Sequence, residues 1–165
     1  MDSNISMLNA PTILMVEDDP VLRDEIARAL REAGCDTVLA PTEEVALRLM
    51  AAAEFDGLYC GVGHFGSAEA WKVGAIFHLL WPKRPVVHAF GPHEASPPSL
   101  QNAVSLRKPF PIGALVDRLV GHRAAFGTTP RQPGNVPENE IERRIERRAR
   151  AIAQVSSKPN RSIAR

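Results

Sequence analysis

Through residue 121 the chain repeats one pattern: a short apolar run, then a longer stretch with apolar residues at helical spacing. The runs cover residues 13–16, 37–39, 58–60, 85–89 and 104–106, and their shortness reads as buried strands. The first intervening helix starts at Pro20 with Asp19 as its cap. It carries Val21, Leu22, Ile26 and Leu30 on one side and stops at Gly34. Thr42 caps the second helix, whose stripe is Leu47, Met50 and Ala51. A third spans about 67–80 and a last one 112–120. Pro92, Pro97 and Pro98 break the stretch after the fourth strand, so a loop and a short helix at 99–103 are expected there.

This alternation predicts an α/β fold: a doubly wound five-stranded parallel sheet covered on both faces, occupying residues 11–121. In such sheets ligands meet the carboxyl ends of the strands. Glu17, Asp18, Gly61, Phe90 and Lys108 all fall at those ends. Residues 122–137 are rich in Gly, Pro and Thr and read as a flexible linker. Residues 138–165 form a basic helical tail. Its narrow stripe of Ile141, Ile145, Ala149, Ile152 and Val155 is flanked by Arg143, Arg144, Arg147, Arg148 and Arg150. With that linker between them, the tail is expected outside the core of the first unit.

Charge divides the chain at the same place. Residues 1–121 hold 10 basic and 15 acidic residues, a net −5, while 122–165 hold 10 and 4, a net +6. An apolar content of 44% and a charged content of 24% are ordinary for a water-soluble domain. Cys35 and Cys60 have no partner at metal-ligand spacing and argue against a disulfide scaffold. No signal peptide or membrane span is expected, and a cytoplasmic location follows.

Glu17-Asp18 after the first strand and Lys108-Pro109-Phe110 after the fifth, spaced around a third strand ending at Gly61, resemble the receiver domain of two-component response regulators (CheY-like). The resemblance implies a flavodoxin-like sheet and a role in phosphorelay signal transduction. It places a phospho-accepting aspartate at position 61, where this chain has glycine. It implies a magnesium site with Asp18 as direct ligand, Glu17 acting through water and Gly63 supplying a carbonyl. It also implies that Lys108 contacts the phosphoryl group, and its bond to Pro109 is expected to be cis. Phe90 stands where the family has a hydroxyl, and Ser105 where it often has a signalling aromatic.

Acceptor, hydroxyl and aromatic are all absent, so the expectation is a degenerate pseudo-receiver. It is not an enzyme and acts by protein–protein interaction without ordinary aspartyl phosphorylation. Lys108 is expected to pair with Asp18 or Glu17, and magnesium to bind weakly or not at all. The expected partner is a signalling protein: a histidine kinase, a phosphotransferase or another regulator. Leu115, Val116 and Leu119 of the last helix, with Ile141, Arg144, Ile145 and Arg148 of the tail, are the expected contact residues. The isoleucine stripe also permits a homodimer. Two alternatives stand: phosphorylation of another acid near the pocket, Asp18 or Asp19, and nucleic-acid binding by the tail. The tail's lack of aromatics disfavours the second.

Other features read blandly. Residues 61–66 spell GxGxxG, but after the third strand rather than the first, which suits a loop better than a dinucleotide site. Tyr59 and Cys60 read as ordinary sheet residues, and the five histidines show no ligand spacing. Trp71 and Trp81 are expected in the core or as partner anchors.

Overall fold

The computed structural model describes residues 10–61, 67–93, 103–121 and 138–156. The chain runs β1 (Thr12–Val16), α1 (Pro20–Glu32), β2 (Asp36–Ala40), α2 (Glu43–Ala52), β3 (Gly57–Gly61), α3 (Ser67–Leu80), β4 (Val86–Phe90), β5 (Ala103–Arg107), α4 (Ile112–Val120) and α5 (Glu138–Ser156). All strand pairs are parallel, in the order β2-β1-β3-β4-β5. β1 therefore sits at the point where the winding reverses, and its carboxyl end lies beside that of β3. The expected short helix at 99–103 meets the structure only at Ala103, which instead opens β5 opposite Val86. Residues 99–102 lie outside the described residues.

The helix boundaries follow from local chemistry. Asp19 caps α1 by accepting from the amides of Val21 and Leu22 at 2.9 and 3.3 Å, and Pro20 occupies the first turn, where no donor is needed. The helix closes at Gly34, whose φ of 83° is open to glycine at little cost. There the Gly34 and Cys35 amides reach back to the carbonyls of Arg31 and Leu30. At the amino edge of the sheet, Asp56 ties β1 to β3 twice. Its carboxylate accepts from the Thr12 amide, and its own amide donates to the Thr12 carbonyl, both at 2.8 Å.

Side chains alternate across the strands and build two core layers. Ile13, Met15, Tyr59, Val87 and Ala89 meet α1 and α4 on one face. Leu14, Val16, Leu58, Cys60, Val86 and Phe90 meet α2 and α3 on the other. Both tryptophans belong to this second layer. Trp81 packs on Phe77 and edge-on to Phe55, with the Arg84 guanidinium 5.2 Å from its ring centroid. Trp71 stands edge-on to His88 at 5.0 Å.

Two expectations are corrected here. Leu115 and Leu119, expected on a partner face, are buried in the core between α4 and the sheet, and Val116 is half-buried against the same cluster. The stripe Ile112, Leu115, Val116 and Leu119 is what one helix needs to cover a sheet, which leaves Gly113, Asp117 and Arg118 facing water. The tail is likewise not separate from the core. α5 packs against α2 and α3, and Ile152, 8% exposed, joins their apolar cluster.

His88 is the unexpected member of the core. It is wholly buried, and neither ring nitrogen has a hydrogen-bond partner among the described residues. Gly74 allows this. A Cβ there would overlap Nε2 and lie 2.7 Å from Cε1. Burial lowers the imidazole to about 4, below its ordinary value, so His88 is neutral in the folded protein. As pH falls below about 6.5, the unfolded chain takes up this proton first, and folded stability drops until the folded-state value is reached. We predict that His88 removes about 2 kcal/mol of stability between pH 7 and 5. Urea unfolding at the two pH values should show that drop in the wild type, and His88→Leu should shrink it by that amount.

Candidate functional site

β1, β3 and β5 deliver one residue each to a common edge. β1 runs into Glu17, β3 ends in Gly61, and β5 leads to Lys108. The Lys108 amide donates to the Phe90 carbonyl at 2.8 Å, which fixes the end of β5 against β4, and the Lys108–Pro109 peptide is cis.

Glu17 is the centre of the cluster. Its side chain is wholly buried, although it belongs to a residue type that is rarely inside without partners. Three donors surround it. The Tyr59 hydroxyl donates to Oε2 at 2.7 Å. The Lys108 ammonium lies 3.1 Å from Oε2 and 3.3 Å from Oε1. The Asp19 amide donates to Oε1 at 3.1 Å. A buried carboxylate survives where its lone pairs are met in this way.

Gly61 makes the arrangement possible. A Cβ at this position would overlap Glu17 Oε2, lie 2.8 Å from Glu17 Cδ and come within 3.0 Å of the Tyr59 hydroxyl oxygen. The Glu17 carboxylate therefore fills the space into which any side chain at 61 would project. Tyr59, two residues earlier on the same strand, points to the same side and closes the gap from beneath.

The electrostatics match this geometry. Burial, and after it the charge of Glu17, pushes the Tyr59 phenol far above its ordinary value, so it remains a donor. Burial, with Glu17 and Glu43 behind it, pushes the Cys60 thiol up to about 12. A neutral thiol of this kind is a poor nucleophile.

The other candidates lie around this core in different states. Asp18 is half-buried, and Asp19 is exposed and spent on capping α1. Phe90 is 7% exposed, with the Arg107 guanidinium 5.9 Å from its ring centroid, while Ser105 on the edge strand is exposed. Gly63 and the rest of the GxGxxG segment after Gly61 lie outside the described residues, as do the side chains of Ile141, Arg144 and Ile145. Arg148 is half-buried and donates to the Ala53 carbonyl at 2.7 Å, a contact within the chain.

The donor set does not fit a resident divalent cation. Both oxygens of Glu17 are engaged by an ammonium, a hydroxyl and an amide, and position 61 offers no carboxylate. No group of three or more His, Cys, Asp and Glu at metal-binding distance occurs among the described residues. Sequence reasoning missed Tyr59. Its signal was a hydroxyl-bearing ring in an otherwise apolar strand, two positions before a glycine.

No protein-family model matches the sequence, and no curated protein matches it. Many solved structures share the fold, and the three that follow do so at low sequence identity. A response regulator receiver protein from Sinorhizobium medicae superposes with a TM-score of 0.64 at 23% identity, over 72% of this chain and 98% of that one. The chemotaxis protein CheY4 of Vibrio cholerae gives 0.54 at 20% identity, over 67% and 97%. The receiver domain of a Pseudomonas aeruginosa sensor histidine kinase, with a magnesium ion coordinated in its active site cleft, gives 0.52 at 21% identity, over 68% and 99%. The chain thus has the receiver fold. Among its described residues no helix is long and apolar enough to cross a membrane.

Two substitutions probe the cluster. Gly61→Ala forces the buried carboxylate out of its place and should cost about 3 kcal/mol by urea unfolding. In a Glu17→Ala background the same substitution should cost at least about 2 kcal/mol less, since the two sites share one space. Lys108→Met leaves Glu17 buried without its cation and should destabilise by about 3 kcal/mol, measured by the same transition.

Proposed function

We propose that this chain is a response-regulator-type signalling module whose pocket works without aspartyl phosphorylation, acting by binding a protein partner in two-component signalling. One observation carries the reading: the Glu17 carboxylate occupies the space of the side chain that position 61 lacks. An acceptor at this point would need both a nucleophilic oxygen and room for the incoming phosphoryl group. Neither is available while Glu17 is held by Lys108 and Tyr59.

Lys108, the cation that would otherwise meet transferred phosphate, already has a carboxylate partner. Phe90 cannot donate a hydrogen bond to a phosphoryl oxygen, and its ring is covered by Arg107. The pocket is therefore filled by groups of the chain itself, and signalling by this module rests on recognition of its surface. The residues left for that contact are exposed ones on the α4 and β5 side: Ser105, Arg107, Asp117 and Arg118. The magnesium site of the receiver resemblance plays no part in this reading, and the cytoplasm is the compartment that suits it.

Incubation of the purified protein with acetyl phosphate and Mg2+, followed by intact mass, tests the proposal. The expected result is no phosphoryl mass increment. A stable adduct, lost in Asp18→Ala or Asp19→Asn, would overturn it and assign the acceptor role to a neighbouring acid.

A further inference from the structure

α5 turns one side to the domain and the other to water. Ile152 enters the apolar cluster that Val45, Leu47, Leu49 and Ala51 of α2 also border, and the Arg148 guanidinium donates to the Ala53 carbonyl. These contacts fix the rotation of the helix about its axis. At 3.6 residues per turn Arg143 lies opposite Ile152, and Arg147 and Arg150 lie within about 40° of Arg143. All three arginines are exposed. They form a straight stripe on the pole that faces away from the domain, about 10 Å long from Arg143 to Arg150.

A helix that merely meets water does not call for this arrangement. Arg143 and Arg147, like Arg144 and Arg148, are equal charges four residues apart, which weakens a helix. Arg148 is used on Ala53, whereas on the outer pole Arg150 lies 3.7 Å from Glu146, an exposed pair of the kind that contributes little. The acids of the tail are gathered ahead of the stripe, at Glu138, Glu140 and Glu142. Residues 143–165 hold eight basic residues against one acid, a net +7.

The composition of the pole selects the partner. Beside the arginines, its described residues are Glu146 and Gln154, and α5 contains no aromatic residue. Insertion into a membrane needs an apolar face turned outward, and a protein hot spot needs an aromatic or apolar anchor. Stacking on single-stranded bases needs aromatics, so their absence from the tail counts against that mode alone. Contact with a phosphate backbone needs none, and the planar guanidinium matches phosphate oxygens with two donors. A helix backed by a domain on its other side suits the wide major groove of DNA rather than the narrow one of duplex RNA.

We propose that the outward pole of α5 docks on the phosphate backbone of duplex DNA through Arg143, Arg147 and Arg150. The contact reads charge and not sequence. It is separate from the α4 and β5 side, because α4 packs with α1 on the opposite face of the sheet from α5.

Fluorescence anisotropy of a short labelled DNA duplex of mixed sequence, titrated with the full-length protein from about 50 to 200 mM sodium chloride, tests this. The wild type should bind with a dissociation constant of about 1–100 μM, and log K should fall with log salt at a slope of about −3 or steeper. Replacing Arg143, Arg147 and Arg150 together by Gln should weaken binding at least about 10-fold at low salt and flatten the slope by about 2 to 3. Lys at the same three positions should keep the slope, and losing it would show that the guanidinium groups act within the fold instead. Arg28→Gln with Arg31→Gln, at exposed positions of α1 on the opposite face, should bind as the wild type does. Three further results would overturn the proposal: no duplex binding at low salt, an unaltered Gln variant, or an equal loss in the α1 variant. Tighter binding of duplex RNA, single-stranded DNA or phosphatidylserine vesicles than of duplex DNA would overturn it as well.

Discussion

A glutamate carboxylate with no exposed surface, lodged where a neighbouring residue has no side chain, is the constraint on which the pocket depends. An unpaired carboxylate in that position would cost several kcal/mol. The surrounding structure offsets this with a hydroxyl, an ammonium and an amide, each supplied by a different part of the chain. Gly61 supplies the space, Tyr59 closes it, and Lys108 balances the charge. Each of these residues makes sense only with the others in place. A side chain at 61 displaces the carboxylate, and loss of the carboxylate leaves a lysine and a buried phenol facing one another.

The same cluster organises the elements that meet there. The Asp19 amide is bound by Glu17 while the Asp19 side chain caps α1, so the start of that helix is fixed from the pocket. The position of Lys108 is set from the other side, by its amide on the Phe90 carbonyl. β1, β3, β4 and β5 are thus tied at their carboxyl ends, as β1 and β3 are tied at their amino ends by Asp56. In a receiver fold this end of the sheet is where ligands meet the strands. Here the Glu17 carboxylate fills the space beside Gly61 at that end of the sheet.

Much of this was legible from residue order. The five apolar runs and the caps at Asp19 and Thr42 marked the strands and helices to within a residue or two, because buried parallel strands must be continuously apolar. Gly61, Glu17 and Lys108 stood out through their positions at strand ends. Which acid the lysine meets was open in the sequence, since Asp18 and Glu17 differ only in reach. Tyr59 was hidden because a tyrosine in a strand is ordinary, and its meaning comes from the missing Cβ two residues on. His88 was hidden for a similar reason: only the packing against Gly74 shows it wholly buried, with no partner for its nitrogens among the described residues.

The tail was misread from composition. A Gly- and Pro-rich linker suggests detachment, yet the wide apolar surface of α2 called for a further cover, and α5 provides it. Leu115 and Leu119 were misassigned because an apolar stripe does not say whether a sheet or a partner lies beneath it.

Titration of the isotope-labelled wild type with Mg2+, followed by amide chemical shifts, tests most directly whether Glu17 has closed the pocket. The account predicts that Asp18, Gly61 and Lys108 move no further than in sodium chloride of equal ionic strength. Saturable shifts confined to those three residues would show a cation displacing Lys108 from Glu17, and would contradict it.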